Sequence, residues 1–90
     1  MGHSSVMRIR KEFLVITFAE TSDAIAAEKT LKKQGISGRM IPVPRQLSAG
    51  CGLSWRTELQ EREAAGQALE RAGIHWQQME PVHLWVAEKS

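Results

Sequence analysis

The sequence predicts an α+β domain: a ferredoxin-like βαββαβ chain with a four-stranded antiparallel sheet and both helices on one face. Three observations carry this expectation. A β-branched and aromatic run, Phe13 to Phe18, precedes a stretch with helical spacing. A second helical stretch follows Thr57. Between and after them, Gly35-Ile-Ser-Gly-Arg-Met-Ile-Pro-Val43 is echoed, with one inserted residue, by Gly73-Ile-His-Trp-Gln-Gln-Met-Glu-Pro-Val82. Each echo follows a helix, so the chain writes β-α-β twice, the split βαβ arrangement.

The elements follow in order. Phe13 to Phe18 reads as a buried strand. Thr21, Ser22 and Asp23 offer helix N-caps. Ala24, Ala27 and Leu31 then share one helical face, with Ile25 beside them, until Gly35 ends the helix. Lys32 and Lys33 sit favourably in its last turn. Arg39 to Val43 reads as a second strand, which Pro42 confines to a sheet edge or an early exit. Leu53 to Arg56 alternates as a short third strand. Thr57 and Gln60 form a capping box for the second helix, whose Ala65, Ala68, Leu69 and Ala72 share a face until Gly73. Ile74 to Val86 holds one or two further strands, interrupted at Pro81. The sheet face away from the helices is expected to be open to water or to a partner. Trp55, Trp76 and Trp85 lie in strand-like runs, where they either complete a small core or line that open face.

Ninety residues allow one domain, expected over 12–87. Residues 1–11 are read as a disordered N-terminal segment, with Gly2-His3-Ser4-Ser5 as an appended remnant and Met7 as the natural start. Residues 88–90 are read as a frayed tail. Twelve Lys and Arg against ten Asp and Glu leave a formal charge of +2, too small to point to nucleic acid. The apolar run at Phe13 is too short for a membrane span or a signal segment, so no membrane association is expected. A single cysteine excludes an internal disulfide and any Cys-x-x-Cys pair, and makes the cytoplasm the default location.

That cysteine, Cys51, organises the rest. It lies between Gly50 and Gly52 in the loop from Ile41 to Arg56, which two prolines stiffen at its start. Small residues around a thiol fit presentation better than burial. A nucleophilic thiolate is favoured by nearby positive charge or a helix N-terminus. Arg45 and Arg56 are the nearest cations in sequence, and the helix expected near Thr57 brings a positive dipole end. Gly50 and Gly52 let backbone N–H groups approach the sulfur as a small anion nest. The plain alternative is a half-buried structural cysteine, as most free cysteines are. Arg45 equally fits a role bonding only loop carbonyls, and Ser48 fits a turn former better than a catalyst. His75 and His83 match no metal-ligand spacing. No Gly-rich phosphate loop is present.

The loop resembles a known family, the small bacterial and archaeal selenium/sulfur carrier protein-like domains. The shared features are the Asp23-Ala-Ile-Ala-Ala-Glu28 helix, a Gly-Ile turn, and a Pro-x-Pro-Arg…Ser-x-x-Cys-Gly segment. Here that segment is Pro42, Pro44, Arg45, Ser48, Cys51 and Gly52, and the likeness runs from Phe13 to about Gln78. Trp55 stands where an aliphatic residue is expected. The resemblance implies a non-enzymatic, cofactor-free carrier. Its thiol, Cys51, would take sulfur or selenium from a donor protein and pass it to an acceptor, with Pro44, Arg45, Ser48, Gly50, Gly52 and Arg56 shaping the pocket. With no second cysteine to resolve a disulfide, the cargo has to leave to another molecule. The other reading is a small interaction module that dimerises or binds a partner through the open sheet face, with Cys51 structural.

Overall fold

A computed structural model describes residues 6–47 and 50–89. The elements run β1 (Val6–Thr17), α1 (Thr21–Lys33), β2 (Arg39–Pro42), β3 (Leu53–Thr57), a 3-10 turn (Leu59–Glu61), α2 (Arg62–Arg71) and β4 (Gln78–Lys89). The strands form one antiparallel sheet in the order β2-β3-β1-β4. The fold is therefore α+β, a four-stranded antiparallel sheet with two helices.

Alternation along β1 sends Leu14, Ile16 and Phe18 one way and Phe13, Val15 and Thr17 the other. Ile16 and Phe18 join Trp55 of β3 against Ala24, Ala27 and Leu31 of α1 and Ala65 and Leu69 of α2. Alanines on the helix faces let the helices lie close to the sheet. Both helices end alike. Gly35 N–H bonds Lys32 O and Ile36 N–H bonds Leu31 O; Gly73 N–H bonds Glu70 O and Ile74 N–H bonds Leu69 O. These are Schellman endings, with each glycine in the left-handed region. They turn Ile36 and Ile74 back into the same core. The repeated Gly-Ile of the sequence is this repeated helix stop.

Several boundaries differ from the sequence reading. Glu20, not Thr21, Ser22 or Asp23, occupies the N-cap of α1, and it makes no side-chain cap. Thr57 does not start α2. It ends β3, buried, with its hydroxyl donating to Ser37 O at 2.5 Å, and the N-cap positions of the 3-10 turn and of α2 fall to Glu58 and Glu61 instead. The last stretch is one continuous strand. Pro81 is tolerated because β4 is a sheet edge, where a missing N–H breaks no ladder bond on its outer side. Pro42 lies on the other edge strand, β2, as its chemistry requires.

Two larger differences concern the sheet. Residues 6–11 belong to β1 rather than to a disordered segment, and pair with residues 84–89 of β4. Only Leu14 to Thr17 of β1 also pair with β3, so the earlier part of β1 projects with β4 as a two-stranded ribbon. The longest dimension is accordingly 51 Å, against 26 and 18 Å for the others. Arg8-Ile-Arg-Lys-Glu12 offers too little apolar surface to read as a strand. Main-chain pairing with β4 holds it instead.

The second sheet face is open only in part. Phe13, Val15, Thr17, Ser54 and Val82 face away from the helices and are each no more than 5% exposed. The β2–β3 connection crosses this face. Gln46 Nε2 donates to His83 O at 3.3 Å, joining the connection after one edge strand to the opposite edge strand. Leu47 lies beside Gln78, Glu80 and Val82. The tryptophans divide accordingly: Trp55 is fully buried in the helix-side core, Trp76 packs against it, and Trp85 stands 66% exposed on the ribbon. Among the described residues no helix is long and apolar enough to cross a membrane.

Leu69 is fully buried and Ile25 is 53% exposed on α1, so the two should respond differently to truncation. Leu69→Ala should cost about 2–5 kcal/mol and lower the melting temperature by roughly 8 °C or more. Ile25→Ala should stay within about 0.5 kcal/mol of the parent. Thermal unfolding followed by circular dichroism checks both.

Candidate functional site around Cys51

The register of the sheet places Cys51. Val43 N–H bonds Gly52 O at 3.1 Å, which makes 43 and 52 a hydrogen-bonded pair. In an antiparallel ladder bonded and non-bonded pairs alternate, so Pro42 and Leu53 are a non-bonded pair. The N–H and C=O of Leu53 therefore turn away from β2, toward β1. Pairing of β1 with β3 has already ended one residue earlier, at Thr17 and Ser54. The sulfur of Cys51 takes the place of the missing strand. Leu53 N–H donates to Sγ at 3.4 Å, and the thiol donates to Leu53 O at 3.4 Å.

The flanking glycines make this local ring fit. Gly52 has φ +76°, in the left-handed region, and so folds the chain back for the sulfur to meet the residue two positions on. A Cβ on Gly50 would lie 2.7 Å from the carbonyl oxygen of Ala19, so only glycine lets the loop close on the β1–α1 turn. Cys51 is half-buried, free of any disulfide, and packs against the helix-side core together with Leu53.

Of the predicted site residues, Gly50, Cys51 and Gly52 are thus brought together. Pro44 accepts a hydrogen bond from Leu47 N–H at 2.9 Å, closing a turn in which Arg45 is exposed. No hydrogen bond or ion pair ties Arg45 to the thiol among the described residues. Ser48 lies outside the described residues. Arg56 is not beside the thiol. It sits near the far end of β3, whereas Cys51 precedes the start of that strand. It also projects from the opposite sheet face, with Cζ 4.5 Å from the centre of the Phe13 ring. The helix start near the thiol is also not that of α2. β3 carries the chain away from Cys51 before α2 begins, whereas Gly50 abuts Ala19, just before α1 starts at Thr21.

Leu53 and Ala19 are the site residues that sequence reasoning missed. Both act through the main chain, so their side-chain types carry no signal. The glycine after the cysteine was the available clue, since it permits the left-handed turn that closes a sulfur-to-backbone ring. His75 and His83 form no metal group with Cys51; among the described residues no three His, Cys, Asp or Glu side chains are grouped as ligands.

The family model described as "Putative Se/S carrier protein-like" matches residues 13–80. The chain belongs to this family. The match takes in both helices, β2, β3 and the whole cysteine loop, and leaves out the projecting part of the ribbon. Comparison with curated proteins and with solved structures finds no match.

Gly50→Ala should lower stability by about 1–3 kcal/mol, because a backbone carbonyl has to move for the methyl group. Gly52→Ala should cost about 1–2 kcal/mol from the left-handed backbone alone. Urea unfolding should show lowered midpoints with unchanged slopes for both.

Proposed function

We propose that the protein is a cofactor-free carrier in which Cys51 takes up one sulfur or selenium atom and delivers it to an acceptor protein. Membership of the Se/S carrier protein-like family carries this reading. The loop chemistry supports it, since one thiol lies half-buried between two glycines with a backbone N–H directed at its sulfur. The transfer needs no outside oxidant. The Cys51 thiolate attacks the terminal sulfur of a donor persulfide, the new S–S bond forms as the donor S–S bond breaks, and the donor leaves as a thiolate that takes up a proton. Delivery repeats the step on the acceptor and returns Cys51 to the thiol. Selenium follows the same electron count as a selenopersulfide. The donor and acceptor are proteins that approach the loop from the side the glycines leave free. The cytoplasm, where thiols stay reduced, suits such a shuttle. We read the chain order and sheet order together as the ferredoxin-like arrangement, with the shuttle loop as its β2–β3 connection.

A second reading is favoured by the two hydrogen bonds between Cys51 and Leu53, one donated by the thiol and one accepted by it. Here the cysteine only completes the end of the β1–β3 ladder, and the protein works by binding a partner.

Intact mass separates the two. After incubation with a persulfide-forming cysteine desulfurase and cysteine, or with a selenium donor, the protein should gain one chalcogen atom. Reductant should remove it, and Cys51→Ala should show no gain. A protein that stays unmodified under conditions that load another thiol carrier sinks the carrier reading.

A further inference from the structure

The sheet holds a second polar feature, away from the thiol. Arg39 of β2 and Arg56 of β3 are direct cross-strand partners. Such partners share a sheet face with Cβ atoms about 5 Å apart, and like charges there are destabilising. Among the described residues neither arginine forms an ion pair; the pairs present are Lys11 with Glu58 and Lys32 with Glu28. Lys11 approaches from β1, and the three cations line one depression of about 520 Å³ with Phe13, Glu58 and Trp85. Among the described residues, the one carboxylate lining it, Glu58, is already engaged by Lys11 at 3.3 Å.

The Phe13 ring sets the geometry. Arg56 Cζ lies 4.5 Å and Lys11 Nζ 5.2 Å from its centre. A guanidinium held by its face against an aromatic ring keeps its N–H edge free for an acceptor and loses little rotamer freedom on binding. Two guanidinium forks and an ammonium present more donors than one carboxylate can take. A tetrahedral oxyanion, with oxygens pointing to several sides, matches them better.

We propose that the depression framed by Arg39, Arg56 and Lys11 binds a tetrahedral oxyanion of the phosphate type. The bound anion offsets the repulsion between the two arginines, which is otherwise carried as a stability cost. The site is independent of chalcogen carriage, because Arg56 projects from the sheet face opposite Cys51.

The test is thermal unfolding in phosphate-free, low-salt buffer, with added inorganic phosphate or pyrophosphate against sodium chloride at matched ionic strength. Binding to the folded state should raise the melting temperature beyond the chloride control, and titration should give an apparent affinity. Arg39→Gln, at an exposed position, should bind at least tenfold more weakly. Without phosphate it should be as stable as the parent or more so, because the like-charge pair is gone. Cys51→Ala should keep the full phosphate response. An equal shift from chloride, an undiminished response in Arg39→Gln, or binding of a hexaglutamate peptide with none of phosphate would each overturn the proposal.

Discussion

The site depends on one hydrogen-bonding constraint at the end of the β1–β3 ladder. Alternation in the β2–β3 pair turns the peptide groups of Leu53 toward β1, where pairing has stopped at Thr17. A half-buried peptide N–H without a partner costs free energy comparable to a lost hydrogen bond. The sulfur of Cys51 supplies that partner, and Gly52 supplies the backbone turn that brings it there. The thiol is held by the sheet itself rather than by charged side chains.

The same connection covers part of the far face of the sheet. Having left β2, it turns at Pro44 to Leu47 and crosses to His83 on β4 before coming back to Gly50 and Cys51. Leu47 lies beside Val82 there, and Val15, Thr17 and Val82 are all buried. The β4 side of this face is thus overlain near Val82, while its other side carries the depression lined by Lys11, Phe13, Arg39 and Arg56. A loop-borne thiol keeps one side toward solvent. The bond from the thiol to Leu53 O has to break when the sulfur accepts cargo, while the bond from Leu53 N–H can persist. On the proposed carrier reading, loading would exchange one weak bond for a covalent one and leave the Leu53 N–H bond in place.

What could be read in the chain was what local chemistry decides. Gly35 and Gly73 announced the helix ends, Pro42 announced an edge strand, and the alanine and leucine spacing announced the buried helix faces. Cys51 between two glycines marked the loop. What could not be read depended on pairing at long range. The charged run Arg8 to Glu12 becomes a strand only because β4 lies opposite. The partly covered sheet face depends on Gln46 meeting a residue far along the chain. Arg56 seemed close to Cys51 because five residues separate them, yet Cys51 packs against the helix-side core while Arg56 stacks on Phe13 on the other sheet face. Thr57 looked like a cap because its hydroxyl suits one, but that hydroxyl serves Ser37.

The central claim is that Cys51 is anchored by the ladder end and reachable in the folded protein. The most direct measurement is the rate of iodoacetamide labelling, followed by intact mass, as urea is raised from zero toward the unfolding transition. The account predicts stoichiometric labelling of the folded protein at a rate that does not change with urea below the transition. A rate that is negligible without urea and rises in proportion to the unfolded fraction would contradict it, and would make Cys51 a packing residue.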